Sequence, residues 1–138
     1  MYNEIELNFI SKRINISVIR NMVGVMIVDH NPTITFLNEL KTVISEAITN
    51  CIVHGYQNQE NGRIQMKIVV DDEKVAMDIV DEGIGIEDIE QAREPLFSTK
   101  ADEERSGLGF TIMEMFCDVL TVESRVHEGT KLHIEKKW

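Results

Sequence analysis

Glu46, Asn50 and His54 recur every fourth residue within one apolar-patterned segment. Residues four apart stack along one side of a helix. At 100° per residue Glu46 lies nearly opposite Ile44 and Ile48, while Asn50 and His54 drift toward the edge of the apolar face. A solvated helix side would account for such a stripe. Asn is a mediocre helix former, however, and its place one turn after a Glu in mid-helix points to a ligand. A second group is Asp81-Glu82-Gly83-Ile84-Gly85. An ordinary glycine turn is the plain reading. The chemical one is that a buried carboxylate at a strand end accepts a hydrogen bond from an exocyclic amine such as that of adenine, with glycines letting the backbone approach a flat ring. The third is Arg105-Ser106-Gly107-Leu108-Gly109-Phe110. Glycines at a helix start leave N–H groups pointing outward where the helix dipole favours anions. That suits a polyphosphate, whereas a simple N-cap at Ser106 is the structural alternative.

The surrounding pattern indicates the elements that must hold these groups. Ile5, Leu7 and Phe9 alternate as a short strand. Ile14 to Val28 reads as a helix, and Asn31-Pro32 is expected to open a long second helix with proline at its first position. Leu37, Leu40, Ile44, Ala47, Ile48, Cys51 and Ile52 form the apolar face of that helix, which ends near Gly55. Ile64 to Val70 and Val75 to Ile79 alternate about a turn at Asp71 to Lys74, a β-hairpin. A loose segment with Pro95 and the polar run Ser98 to Ser106 follows. Gly107 to about Cys117 is expected to be helical, and Leu120 to Ser124 and Thr130 to Glu135 to be closing strands. The order β-α-α-β-β-loop-α-β-β predicts one α+β domain over residues 1–138. Its architecture is a two-layer sandwich, a mostly antiparallel mixed sheet covered on one face by helices.

Composition removes several classes of function. With 43% hydrophobic residues the chain can build a packed core. No apolar run approaches the roughly 20 residues of a membrane span. No leader pattern is visible at the N-terminus, so no membrane role and a cytoplasmic location are expected. A net charge of −10, without clustered Lys or Arg, disfavours direct nucleic-acid binding. The pair Lys136-Lys137 is too short to count. Cys51 and Cys117 sit among apolar neighbours and read as small buried hydrophobes. The four histidines show no zinc spacing. Neither G-x-x-x-x-G-K-[ST] nor G-x-G-x-x-G occurs, and the motif set of eukaryotic-type protein kinases is missing.

Taken together and in this order, Glu46…Asn50…His54, Asp81-x-Gly83-x-Gly85 and Gly107-x-Gly109 resemble the N, G1 and G2 boxes of the GHKL ATPase/kinase superfamily, over roughly residues 35 to 135. A closer resemblance covers the whole chain. Lys41-Thr-Val-Ile-Ser-Glu-Ala-Ile-Thr-Asn50, His54-Gly-Tyr56, Pro95-Leu-Phe-Ser-Thr-Lys100 and Glu104-Arg-Ser-Gly-Leu-Gly-Phe-Thr-Ile-Met-Glu114 are similar to the sporulation anti-sigma-F factors of endospore-forming bacteria, a family of serine kinases. Cys51 and Cys117 stand where other small or apolar residues are expected.

The resemblance implies a Bergerat-type ATP-binding fold with a lid at about residues 96–107. It implies that Asp81 receives the adenine amino group, with Gly83, Gly85 and Thr130 beside it, and that Asn50 holds Mg2+, which keeps waters and takes further oxygens from phosphates. His54, Thr99, Lys100, Ser106, Gly107, Leu108 and Gly109 complete the ATP or ADP site. Arg105 places a positive charge near the γ-phosphate, and Glu46 is the implied general base toward a serine hydroxyl. The family's biology further implies a homodimer that holds a sporulation sigma factor when ATP is bound. It also implies that the protein phosphorylates an anti-anti-sigma protein. Arg20 resembles a sigma-contact position, with a solvated helix charge as its other reading, and Arg105 is a second candidate partner contact. Three alternatives are the catalytic part of a histidine kinase, an ATPase clamp of the gyrase or chaperone type, and a nucleotide-dependent binding module without catalysis.

Overall fold

A computed structural model describes residues 1–93 and 109–138. The chain opens with strand β1 (Asn3–Ile10), followed by helix α1 (Ile14–Met26) and a short 3-10 turn at Val28–His30. Helix α2 (Ile34–Thr49) continues into a π-helical turn at Asn50–Gly55. Strands β2 (Arg63–Val70) and β3 (Lys74–Asp81), short helix α3 (Ile89–Arg93), helix α4 (Gly109–Phe116), and strands β4 (Val119–Arg125) and β5 (Gly129–Lys137) follow. The five strands form one sheet in the order β1-β2-β3-β5-β4. All four pairings are antiparallel, so the sheet described here is not mixed.

Alternation in the strands sets the layers. Ile64, Met66, Ile68 and Val70 of β2 are buried, as are Val75, Met77, Ile79 and Asp81 of β3. These side chains share one face, because strand residues two apart point the same way. Leu40, Val43, Ile44, Ala47 and Ile48 of α2 cover that face. Helix α2 packs against α1 and α4. Each fully buried Leu or Ile contributes about 1.5–3 kcal/mol relative to exposure. Truncating the fully buried Ile44 to Ala would cost about 2–5 kcal/mol.

The start of α2 differs from expectation. Thr33, not Asn31, is the N-cap; its extended backbone (φ −66°, ψ 158°) lets Oγ1 accept the Phe36 N–H at 3.0 Å. Pro32 therefore precedes the cap rather than occupying the first helical position. A hydroxyl satisfies one of the amides that a helix start leaves without a partner, which proline cannot do. The β2–β3 turn is set by Asp71, whose Oδ1 accepts the Glu73 and Lys74 N–H groups at 2.8 and 2.9 Å. Helix α3 lies in the segment read from sequence as a loose loop. Cys51 is buried as expected, but Cys117 is only half-buried. Among the described residues no helix is long and apolar enough to cross a membrane.

Candidate functional site

Helix α2 carries the polar stripe toward one end of the sheet, and the π-helical turn fixes how that stripe ends. Its wide winding is marked by the Tyr56 N–H donating to the Cys51 carbonyl, five residues back, at 2.9 Å. Asn50 and His54 both line a cavity of about 1010 Å3. That is at the upper end of the range of about 300–1,000 Å3 for small-molecule sites. Among the described residues the Asn50 Nδ2 atom is buried without a hydrogen-bond partner. The two ends of an Asn amide exchange by rotating the group through 180°, so this side chain can turn its oxygen to the same point. A buried polar atom without a partner is rare, and a water, an ion or a ligand atom would satisfy it.

The opposite wall comes from the end of β3. Asp81 is only 4% exposed. Burial pushes its carboxyl above the usual range, opposed by the Gly83 N–H, the Cys51 thiol and the Thr130 backbone. The Gly83 N–H donates to Oδ1 at 2.9 Å. Burial, followed by the adjoining Asp81 charge, drives the Cys51 thiol well above its ordinary value, so it stays a donor. No cation appears among these partners.

Glycines shape this wall differently from the sequence-based expectation. A Cβ on Gly83 would stand 2.2 Å from the Gly55 carbonyl oxygen, and one on Gly85 (φ +77°) 2.0 Å from that of Arg125. Their missing side chains make room for the protein's own backbone. Gly85 lines the cavity, whereas Gly83 does not. The turn is tied down by the Ile84 N–H to Gly55 O (3.0 Å) and the His127 N–H to Ile84 O (2.6 Å). Ser124, which sequence reading passed over, braces the far side. Its hydroxyl accepts the Ile86 N–H at 2.7 Å, donates to Gly129 O at 2.9 Å, and lies 2.7 Å from the Thr130 hydroxyl. A Ser in an alternating strand carries no signal of such a role.

The structure thus brings Asn50, His54, Asp81, Gly85, Gly109 and Thr130 around one cavity. Glu46 is half-buried on α2, one turn before Asn50 and about 6 Å from it along the axis, and is not among the lining residues. Arg20 lies on α1, its guanidinium donating to Ser45 at 3.2 Å and Ser17 at 3.3 Å. Thr99, Lys100, Arg105, Ser106, Gly107 and Leu108, with the expected lid, lie outside the described residues. The described lining carries four carboxylates, Asp81, Glu87, Asp88 and Glu90, and no Lys or Arg. A polyanion held there needs compensating positive charge. Among the described residues no cluster of three or more His, Cys, Asp or Glu could hold a metal ion alone.

The family model described as the histidine kinase-like ATPase domain matches residues 12–136. The chain is 47% identical over 136 residues to the anti-sigma F factor of Geobacillus kaustophilus (strain HTA426), covering 99% of this chain and 93% of that protein. It is 44% identical over 136 residues to the anti-sigma F factor of Clostridium beijerinckii, covering 99% and 95%. Among solved structures it is similar to the Mycobacterial sensor histidine kinase MprB (TM-score 0.57, 21% identity, 73% of this chain and 71% of that one). It is also similar to the histidine kinase domain of the blue-light activated histidine kinase from Erythrobacter litoralis EL346 (TM-score 0.54, 19% identity, 73% and 44%). At those identities the structural likeness speaks for the fold.

Proposed function

The chain belongs to the anti-sigma F factor family, within the histidine kinase-like ATPase domains, and from that premise we propose that it is an ATP-dependent anti-sigma factor and protein serine kinase. The observation that carries the nucleotide reading is the pairing of Asp81 and Asn50 on two walls of one cavity. Asp81 offers a buried acceptor surrounded by neutral donors, a match for the adenine amine. Asn50 offers an orphaned amide at the position where a magnesium ion would sit. A single protein oxygen suits magnesium, which retains waters and draws its other ligands from phosphates. Bound there, the ion would neutralise charge on the phosphates in a lining otherwise rich in carboxylates.

In the proposed reaction a serine hydroxyl oxygen forms a bond to the γ-phosphorus of ATP. The bond from that phosphorus to the β,γ-bridging oxygen breaks, and ADP leaves. Glu46 takes the hydroxyl proton. An ordinary carboxylate is a weak base, so its contribution is chiefly alignment of the hydroxyl. His54, Gly85 and Thr130 border the nucleotide, and the N-terminus of α4 at Gly109 faces its phosphates. Thr99, Lys100, Arg105, Ser106, Gly107 and Leu108 are the proposed lid and phosphate contacts. Arg105 supplies positive charge as transfer spreads negative charge. We assign the protein to the cytoplasm, as a homodimer that holds a sporulation sigma factor with ATP bound. An anti-anti-sigma protein is its substrate, and Arg20 and Arg105 are partner contacts.

Incubation with γ-labelled ATP, magnesium, the sigma factor and the anti-anti-sigma protein tests this reading. The expected result is acid-stable label on the anti-anti-sigma protein and ATP-dependent retention of the sigma factor. Acid-labile label would instead mark histidine phosphorylation. Glu46→Ala should keep nucleotide binding and lose transfer by about 10²–10⁴-fold. Equal loss of both would make Glu46 structural.

A further inference from the structure

Tyr56 is the first residue beyond the π-helical turn, and its hydroxyl bridges the turn after Asp81 and the start of β2. It accepts the Glu82 N–H at 2.7 Å and donates to the Arg63 carbonyl at the start of β2. The ring is seated on Gly62, where a Cβ would come within 2.4 Å of the ring Cγ. The ring's position is therefore fixed by a residue without a side chain, and the hydroxyl's by two backbone groups.

The consequence lies in the turn after Asp81. Three successive amides donate to three different acceptors. The Glu82 N–H goes to the Tyr56 hydroxyl, the Gly83 N–H to Asp81 Oδ1 at 2.9 Å, and the Ile84 N–H to the Gly55 carbonyl at 3.0 Å. Two of the three acceptors belong to Gly55-Tyr56, the exit of the same π-helical turn that begins at Asn50. The wall bearing Asp81 is thus bonded directly to the wall bearing Asn50, and Tyr56 supplies a side-chain link between them without being among the described residues that line the cavity.

We infer that Tyr56 is a positioning residue for base selection: by anchoring the Glu82 amide it fixes the Asp81 carboxylate at the distance and angle from Asn50 that an adenine amine requires. The inference rests on the reading of this cavity as an ATP site. A carboxylate discriminates a 6-aminopurine from a purine lacking the amine only through a directed hydrogen bond, which weakens steeply when misaligned. Removing the Tyr56 hydroxyl frees the Glu82 N–H and the Arg63 carbonyl to find water and lets the turn relax. The amine contact then loses geometry, while phosphate-side binding is unaffected.

The test measures Mg-dependent binding of ATP and of purine riboside triphosphate, which lacks the 6-amine, by calorimetry, in wild type and Tyr56→Phe. Backbone hydrogen exchange at Glu82 is followed in parallel. Phenylalanine keeps the ring on Gly62, so the variant should fold. Wild type should prefer ATP. In Tyr56→Phe the ATP affinity should fall about tenfold, the size of one well-placed hydrogen bond, with the other nucleotide within about twofold, and Glu82 should exchange faster. A merely structural role would weaken both nucleotides alike. An unchanged ATP preference in the variant, or an unchanged Glu82 exchange rate, overturns the role of Tyr56. Wild type that binds neither nucleotide, or both equally, overturns the site reading itself, and the inference with it.

Discussion

Asp81 and Lys136 are both buried on the helix-covered face of the sheet, at 4% and 8% exposure, near opposite ends of the β3 and β5 ladder. About 20 Å of strand separates them, six residues at about 3.3 Å each. Lys136 is paired. Its Nζ donates to Glu39 at 2.7 Å and to the Phe116 carbonyl at 2.6 Å, and lies 5.0 Å from the centre of the Phe36 ring. Phe36 in turn stacks on Trp138, which stacks on His30. Asp81 has only neutral donors, and burial works against its charge. A charge kept to hold the fold together is given its counter-charge within the chain. If Asp81 receives the nucleotide base as proposed, it is a charge kept for a ligand and left short of a counter-charge, at a cost to the empty protein. The two ends of one ladder display both strategies.

Asp81→Asn should produce the largest effect and tests the comparison at its functional end. The side-chain oxygen that receives the Gly83 N–H would stay in use, turning the new NH2 toward the adenine amine, donor against donor. ATP affinity should fall about 100-fold, roughly 2.7 kcal/mol, as expected for a hydrogen bond to a charged group replaced by a clash. The ligand-free thermal midpoint at neutral pH should hold or rise, because the amide carries no desolvated charge. A midpoint drop with ATP affinity retained would make Asp81 structural and erase the contrast. Calorimetric binding and a thermal melt on the same sample decide it.

Lys136→Met should give the next largest effect, with the opposite signature. Methionine keeps most of the apolar stem over Phe36 but strands Glu39 and the Phe116 carbonyl. Glu39 remains 29% exposed on its side chain, so water recovers part of the loss and the cost should be about 1–2 kcal/mol, below that of a fully buried broken pair. Denaturant titration should show the lowered stability, and ATP affinity should stay within about twofold. Weakened ATP binding at full stability would show that the two ends of the ladder are not separable.

How much of this contrast could be read beforehand depends on whether the information is local. Strand alternation in β2 and β3, the Asp71 turn and the apolar face of α2 are written within a few residues of each element, and all were legible. The convergence of Asn50, Asp81 and Gly109 was legible through the order of three motifs. Lys136 was not: in sequence it is half of a Lys-Lys pair of no evident meaning, and only the packing of α2 against β5 brings Glu39 to it. The π-helical turn was hidden for the same reason, since no residue in Asn50–Gly55 announces a wide turn and its end packs against Gly83, a residue distant in the chain. Pro32 misled because proline suits both the first helical position and the residue before a cap, and the Thr33 hydroxyl decided between them. Cys51 was read as a small hydrophobe. Its burial agrees, but its thiol also serves Asp81, a partner 30 residues later in the chain.

The smallest effect comes from the open face of the sheet, where charge is neither buried nor kept for a ligand. His133 lies 2.8 Å from Asp78 and 2.7 Å from Glu135, and Lys74 also holds Glu135 at 2.7 Å. The hydrogen bond to Glu135 raises the His133 ring above its ordinary value, burial opposes it, and Asp78 adds to the rise. A raised folded value means that stability from the charged ring is fully present below about pH 6.5 and fades as pH climbs through the higher folded value. Burial raises Asp81 as well, so its contribution has the same sign in a different window: present below about pH 3.8 and lost as pH rises above it. His133→Gln should therefore flatten the loss above about pH 6.5. A smaller change in the acid range should accompany it, because Glu135, held low first by Lys74 and then by His133, loses the second partner. Asp81→Asn should flatten the loss in the acid range. About a third of the His133 side chain is exposed, and solvent screening should hold its share to about 0.5 kcal/mol or less. Melts of both variants from pH 4 to 9 would test the assignment. If His133→Gln left the limb above about pH 6.5 unchanged, the ring would not be the group that sets it, and the assignment of this charge to the open face would fail.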